Sequence, residues 1–268
     1  MNIEKEKNLK NYISNLTKDG VLVCFSGGVD STLILKIAKE ESEKNLGKVM
    51  ALTFKTLLIP ESDYSDILSI VKDLKVDHEF LDIDVSNNEK VMNNDKRRCY
   101  YCKYALFSKA IEFAKNNNLK YVLDGTNMDD LKVYRPGLLA LEDLKVVSPL
   151  RKCDFSKSEV RELAKKMNLW VSEKPSAPCL ATRFAYNTKI DTKKLPLIEK
   201  GEEFLRNEKF SVNRIRVYGD VTRIEIEKDK FFDFFKNKDK IVSKLKKIGF
   251  KYINLDMEGF RSGSMDEE

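Results

Sequence analysis

Apolar residues run along the chain in two rhythms. Compact stretches of strand length and composition occur at Val21-Leu22-Val23-Cys24-Phe25, Val49-Met50-Ala51-Leu52-Thr53-Phe54, His78 to Ile83 and Tyr121-Val122-Leu123. Between and after them, apolar residues recur at helical spacing in Thr32 to Ala38, Glu61 to Leu74, about Tyr101 to Asn116 and Ser158 to Met167. Strands alternating with helices predict parallel βαβ units with right-handed crossovers, and Lys145-Val146-Val147 adds a plausible edge strand. Two prolines then break the pattern at Lys174-Pro175-Ser176-Ala177-Pro178-Cys179. Beyond them residues 192–207 read as a helix, and Arg214 to Tyr218 and Thr222 to Glu227 as a hairpin around Gly219-Asp220. Asp229 to Ile248 reads as another helix and Tyr252 to Leu255 as a last strand. The prediction is an α/β chain: a doubly wound parallel domain over residues 1–182 and a smaller C-terminal α+β domain over 183–268.

The first strand runs straight into Ser26-Gly27-Gly28-Val29-Asp30-Ser31, and a helix follows at once. Adjacent glycines allow a sharp turn and close approach to a ligand, while the first N–H groups of the helix face whatever occupies the turn. This is an anion seat, with phosphate as the usual occupant. A Walker A loop needs longer spacing and a Lys before the Ser or Thr, and the dinucleotide fingerprint needs three spaced glycines, so both are excluded. Asp30 repels phosphate unless it caps the helix or shares Mg2+ with the ligand. The motif resembles the PP-loop of the ATP pyrophosphatase superfamily, an adenine nucleotide alpha hydrolase-like fold. That resemblance implies that Ser26, Gly27, Gly28, Asp30 and Ser31 hold the pyrophosphate of ATP. Ligands in open parallel sheets collect beyond the carboxyl ends of the strands, so Asp124-Gly125-Thr126-Asn127-Met128-Asp129-Asp130 and the loop at Tyr134-Arg135-Pro136-Gly137 are expected to face the first turn. Thr53, Gly125 and Arg135 join the expected ATP contacts.

Composition narrows the chemistry further. The content of 42% hydrophobic and 34% charged residues is that of a soluble protein, and no stretch approaches the ~18 apolar residues of a membrane helix. The opening MNIEKEKNLKNYI is too charged for the apolar core of a signal peptide, so a cytoplasmic protein is expected. Net charge is +6 and not concentrated in a tail: residues 183–268 carry 20 Lys+Arg against 16 Asp+Glu. That sign suits nucleic acid or a phosphorylated small molecule equally. The single histidine, His78, reads as a surface residue near a strand and rules out a multi-His metal site within one chain.

Five cysteines, an odd number, argue for reduced thiols, metal ligands or catalysis rather than a secreted disulfide framework. Cys99-Tyr100-Tyr101-Cys102 follows Lys96-Arg97-Arg98 and opens a helix, a setting that favours the thiolate. One CxxC is half of a zinc site; with Cys179 it makes three thiolates, which on a cubane 4Fe-4S cluster leave one iron for exogenous sulfide or substrate. A redox or persulfide pair and plain structural thiols are the alternatives. Cys24 lies in the first strand and reads as core, and Cys153 as structural.

The combination of SGGVDS, LDGTNMDD with YRPG, the proline-flanked PCLATRF around Cys179 and the terminal stretch from Asp256 to Gly263 resembles the LarE family over nearly the full length. The resemblance implies ATP-dependent sulfur transfer. A carboxylate of a pyridinium dicarboxylate mononucleotide is adenylylated and becomes a thiocarboxylate, on the route to a nickel-pincer cofactor. In the best-known type, the cysteine matching Cys179 surrenders its sulfur and becomes dehydroalanine. Cysteines at 99 and 102 depart from that type and resemble a three-cysteine subgroup carrying sulfide on a 4Fe-4S cluster. The resemblance further implies a substrate clamp at Arg214 and Arg216, acidic residues near the site at Glu202 and Asp233, an added phosphate contact at Lys103, a sulfide donor and a homo-oligomer. Two other readings stay open: a PP-loop tRNA thiolase, for which Tyr100, Tyr101, Tyr104 and diffuse positive charge speak, and an ATP-binding protein without sulfur chemistry.

Overall fold

The computed structural model describes residues 3–175, 178–261 and 263; Ser176, Ala177 and Ser262, quoted in the motifs above, lie outside the described residues. The first part of the chain runs α1 (Ile3–Thr17), β1 (Val21–Cys24), α2 (Val29–Asn45), β2 (Val49–Lys55), α3 (Asp63–Leu74), β3 (Asp77–Asp82), α4 (Glu89–Met92), α5 (Arg98–Asn116), β4 (Tyr121–Leu123), α6 (Gly137–Asp143), α7 (Pro149–Lys152) and α8 (Lys157–Lys166). The second continues through α9 (Leu195–Asn207), β5 (Asn213–Tyr218), β6 (Val221–Ile226), α10 (Phe231–Lys236), α11 (Lys238–Ile248) and β7 (Tyr252–Leu255). These elements form two compact units. The first comprises residues 1–56, 61–85 and 97–177, and the second residues 57–60, 86–96 and 178–268.

In the first unit four parallel strands lie in the order β3-β2-β1-β4. The chain winds outward from β1 to β3 and then returns to β1's other side with β4, so the winding reverses between β1 and β4. A crevice at the carboxyl ends of those two strands is the expected ligand position in such a sheet. All four residues of β1 are buried, which is why they are uniformly apolar, whereas β3 at the edge alternates exposed and half-buried positions. α2 is buried on nearly every side, and its Leu33, Ile34, Leu35, Ile37 and Ala38 join Leu9, Ile13, Phe155 and Leu163 in one core.

Several elements differ from the sequence expectation. α1 was hidden by its charge, yet Glu6, Leu9, Ile13 and Thr17, spaced three or four apart, form its buried face. Lys145-Val146-Val147 makes only an isolated parallel bridge, Val147 to Leu123, because Pro149 starts α7 two residues later. The expected helix 229–248 is divided at Asn237, whose side-chain amide donates to the Asp233 carbonyl at 2.8 Å.

The second unit carries a three-stranded sheet in the order β5-β6-β7, antiparallel between β5 and β6 and parallel between β6 and β7. Two short pieces from far upstream complete it. The Leu180 N–H donates to the Leu58 carbonyl at 2.8 Å, and the Asn94 amide donates to the carbonyls of Phe184 and Ala185 at 3.0 and 2.7 Å.

α8 is tied down at its start. Ser156 and Glu159 form a capping box, and Glu159 also takes the Lys5 ammonium of α1 at 2.7 Å. Burial pushes the Glu159 carboxyl up, but Lys5 and the Ser156 N–H and hydroxyl outweigh it and hold it at about 2. A folded-state pKa below the unfolded value means that this contribution is present above roughly pH 4.5 and is lost as pH falls toward 2. Glu159→Gln should therefore lower the thermal midpoint at pH 7, and the gap to wild type should shrink steadily in unfolding curves recorded from pH 4.5 downward.

Candidate nucleotide seat and thiol sites

The seat forms where β1 ends. Gly27 has φ +68°, and a Cβ there would lie 2.8 Å from Cγ1 of Ile67, so the left-handed turn and the packing against α3 both require glycine. Gly28 is the extended N-cap of α2 and makes no side-chain cap; its carbonyl accepts from the hydroxyls of Ser31 and Thr32 at 3.2 and 2.8 Å. Ser26 and Ser31 hydroxyls are 3.2 Å apart. The N–H groups of the first turn of α2 thus open onto a cup edged by two hydroxyls, which suits a pyrophosphate.

The loop after β4 closes on this turn. A Cβ on Gly125 would come within 3.0 Å of the Asp30 Cβ and 3.1 Å of the Ser31 amide nitrogen, so glycine lets the two loops touch. Asn127 donates to Asp30 Oδ1 at 3.0 Å, and Lys157, the first residue of α8, forms an ion pair with Asp30 Oδ2. Asp30 therefore neither caps its helix nor stands as a free charge: a lysine neutralises it. The Lys157 backbone N–H donates to Asp129 Oδ2 at 2.6 Å, which fixes the start of α8 against the same loop. Buried Asp124 receives the hydroxyls of Thr126 and Ser148 and orders the loop from below. Lys157 and Asn127 were missed in the sequence. Asn127 lay inside a quoted motif, whereas Lys157 is one more lysine in a Lys-rich chain.

Three expected ATP or phosphate contacts are otherwise engaged. The buried Thr53 hydroxyl donates to the Phe25 carbonyl at 2.8 Å and lies 2.8 Å from His78 Nε2. His78 is half-buried between the rings of Phe25 and Phe80 rather than a surface residue, and burial lowers its pKa. Arg135 is exposed and pairs with Asp130 at 3.0 Å. Lys103 on α5 lies over the Phe107 ring, and its stem sits where a Gly137 Cβ would fall.

Cys99 and Cys102 occupy the start of α5 one turn apart, both partly exposed, with the Arg97 guanidinium over the rings of Tyr100 and Tyr101. Two thiols in this setting suit one side of a metal cluster or a redox pair. Cys24 is buried, and burial first and Asp124 second push its thiol well up, as befits core. Among the described residues no group of three or more His, Cys, Asp or Glu side chains is gathered so as to hold a metal ion.

In the second unit Cys179 caps a short 3-10 turn, Leu180–Arg183. Thr182 donates to the Cys179 carbonyl twice, from its N–H at 3.1 Å and its hydroxyl at 2.9 Å. Glu202 is buried and makes a two-pronged pair with Arg183 at 2.7 and 2.8 Å, while its Oε1 also accepts the Ile215 N–H at 2.9 Å. Arg216 is likewise buried in a two-pronged pair with Glu225, at 3.0 and 2.9 Å, and donates to the Thr182 carbonyl. Arg214 shares its face of β5, stacked on Phe260, and burial together with Arg183 lowers its pKa to about 10. Asp233 is exposed on the first turn of α10. Structure thus draws Glu202 and Arg216 into buried ion pairs and leaves Arg214 the more accessible guanidinium of the expected clamp.

A Gly-Gly anion seat at the switch point of a parallel sheet, completed by an acid-rich second loop, defines an adenine-nucleotide-binding protein of the PP-loop class; the PP-loop domain family matches residues 1–132. The pyridinium-3,5-bisthiocarboxylic acid mononucleotide synthase of Lactiplantibacillus plantarum is 32% identical over 92% of this chain and 89% of its own length. Uncharacterised proteins of Synechocystis sp. and Methanocaldococcus jannaschii are 32% and 33% identical, covering 98% and 97% of this chain and 97% of their own lengths in each case. The chain belongs to the LarE family of ATP-dependent sulfur transferases.

Two substitutions probe the seat. Gly125→Ala should raise the KM for ATP about tenfold, since its methyl must displace the Asp30–Ser31 turn. Lys157→Met leaves the Asp30 carboxylate uncompensated beside the phosphates and should raise the KM for ATP by a similar factor, with the thermal midpoint within a few degrees of wild type; unchanged ATP kinetics in both would contradict the assignment.

Proposed function

We propose that the protein converts pyridinium-3,5-biscarboxylate mononucleotide to its thiocarboxylate at the expense of ATP, in the cytoplasm. The observation that carries this reading is the similarity across both units to a synthase whose product is a bisthiocarboxylic acid mononucleotide. A substrate carboxylate oxygen attacks the α-phosphorus, the bond to the β-phosphate oxygen breaks, and pyrophosphate leaves into the cup lined by Ser26, Gly27, Gly28 and Ser31. The attacking carboxylate is already ionised at neutral pH, so no general base is required, and a chain with one histidine suffices. The first-turn N–H groups of α2 stabilise the charge on pyrophosphate, while Lys157 offsets the Asp30 carboxylate beside them. Mg2+ would enter with ATP, held by the phosphates beside Asp30, whose own charge Asn127 and Lys157 already engage. Sulfide sulfur then adds to the acyl carbon, and AMP departs with the carbon–oxygen bond electrons. Arg214, with Arg216 behind it, clamps the substrate phosphate or its second carboxylate.

For the sulfur, we propose Cys99, Cys102 and Cys179 as the thiolates that would hold a 4Fe-4S cluster, which when bound would supply sulfide to the activated substrate. The donor chemistry supports this, and the helix supplies two ligands ready spaced. Anaerobic reconstitution with iron and sulfide, followed by assay of ATP-dependent sulfur incorporation into the mononucleotide, tests it. Expected are multiple turnovers with Cys179 intact by mass and a loss of at least about tenfold in turnover for Cys102→Ser. Loss of sulfur from Cys179 in step with product would instead establish the sacrificial route, and transfer to tRNA in place of the mononucleotide would replace the substrate.

A further inference from the structure

The second unit contains a buried ion pair that neither nucleotide binding nor the arginine clamp explains. Arg183 is 3% exposed and Glu202 3%, and removing two charges from water this completely is costly unless every lone pair and proton is used. Here every nitrogen and oxygen of the two charged groups has a partner, and in two directions. Toward the sulfur side, Arg183 Nη1 donates to the Thr182 hydroxyl at 2.6 Å and to the Pro178 and Cys179 carbonyls at 3.3 and 3.5 Å. With both Thr182 bonds to the Cys179 carbonyl, these close the turn that carries the thiol into a single hydrogen-bonded knot. Toward the substrate side, Glu202 Oε1 takes the N–H of Ile215, the residue between Arg214 and Arg216. Arg216 returns the connection by donating to the Thr182 carbonyl.

The geometry points to the Arg183–Glu202 pair as a positioning element that sets the register between the Cys179 thiol and the arginine strand β5. This rests on the sulfur-transfer reading, in which one thiol and one clamp act on the same substrate. Neither residue touches the reacting atoms: Arg183 acts through the Cys179 turn and Glu202 through β5. A purely structural ion pair would need no bonds to the backbone of a reactive cysteine, and an apolar pair of the same volume would replace it without loss. Misplacement by about 1 Å of a group that must meet its substrate costs on the order of 100-fold in rate.

The test uses the full chain carrying Arg183→Met together with Glu202→Gln, which leaves no unpaired buried charge and keeps an acceptor for the Ile215 N–H. The Arg183 bonds to Thr182, Pro178 and Cys179 are lost, leaving the turn only its own Thr182 bonds and that from Arg216. After chelation of metal, iodoacetamide labelling is followed by mass at Cys179, with Cys99 and Cys102 as references in the same molecule. Expected are a thermal midpoint close to wild type and Cys179 labelling about tenfold faster relative to the references, as the turn loosens. In the sulfur-transfer assay kcat should fall about 100-fold with the KM for ATP unchanged. Wild-type labelling and wild-type kcat in a folded variant would overturn the proposal. If the double variant fails to fold, Glu202→Gln alone is measured in the same way, and unfolding of both would also overturn it, since the pair would then be a stability element. Absence of sulfur transfer by the wild-type protein would fell the functional reading and leave the labelling ratio to decide the positioning role separately.

Discussion

A carboxylate stands in a seat made for phosphate, and the first unit is built around making that tolerable. Asp30 lies in the first turn of α2, where helix N–H groups favour anions, so its charge is locally stabilised but would compete with any phosphate. Asn127 and Lys157 converge on it from the loop after β4 and the start of α8. This convergence demands that β4 return beside β1, that Gly125 lack a side chain, and that α8 begin where its capping box places it. The α1 helix, joined to α8 through Lys5 with Glu159 and through Glu6 with Lys166, holds that start in place. Sheet order, loop glycine and helix cap thus all serve one ion pair at the mouth of the anion cup.

The second unit solves a comparable problem with the opposite sign. Arginine is the residue for binding carboxylates and phosphates, yet four arginines crowded on and beside a small sheet repel one another. Glu202 and Glu225 divide them: Arg183 pairs with the first, Arg216 and Arg223 with the second, and Asp256 takes the far side of Arg223 at 3.4 Å. Arg214 bears the remaining strain, visible in a guanidinium pKa lowered to about 10 by burial and by Arg183. An anionic group bound beside Arg214 would relieve that charge crowding, so a compact α+β unit can present a cationic contact without losing its core. Glu202 and Glu225 reach the Cys179 turn through these arginines, since Arg183 donates to the Cys179 carbonyl and Arg216 to that of Thr182.

Much of this was readable in the residues. Apolar period located β1 to β4 and α2, α3, α5 and α8, and the hairpin of β5 and β6 followed from alternation around Gly219-Asp220. The cup itself was legible because strand, glycine turn and helix are consecutive. The failures have separate causes. α1 was passed over because charge outnumbers its narrow apolar face, Val147 because one bridge resembles a strand's beginning, and the break at Asn237 because a side-chain bond to the backbone leaves the helical period intact. Glu202 was expected as an acidic residue near the site and not as half of a buried pair, since nothing local marks a glutamate as buried against an arginine nineteen residues away.

By itself the sequence determined the kinds of element, the phosphate-binding turn and the inventory of chemistry: one histidine, an odd set of cysteines, a surplus of positive charge. These are local properties, fixed by side-chain period, by glycine's access to positive φ and by which groups ionise. Tertiary structure alone decided who neutralises whom. Lys157 reaches Asp30 across 127 residues of chain because parallel strands must be joined by crossovers that bring distant helix starts to the same sheet edge. Such pairings leave no periodic trace, since a charge that will be buried and one that will stay in water are written with the same residue.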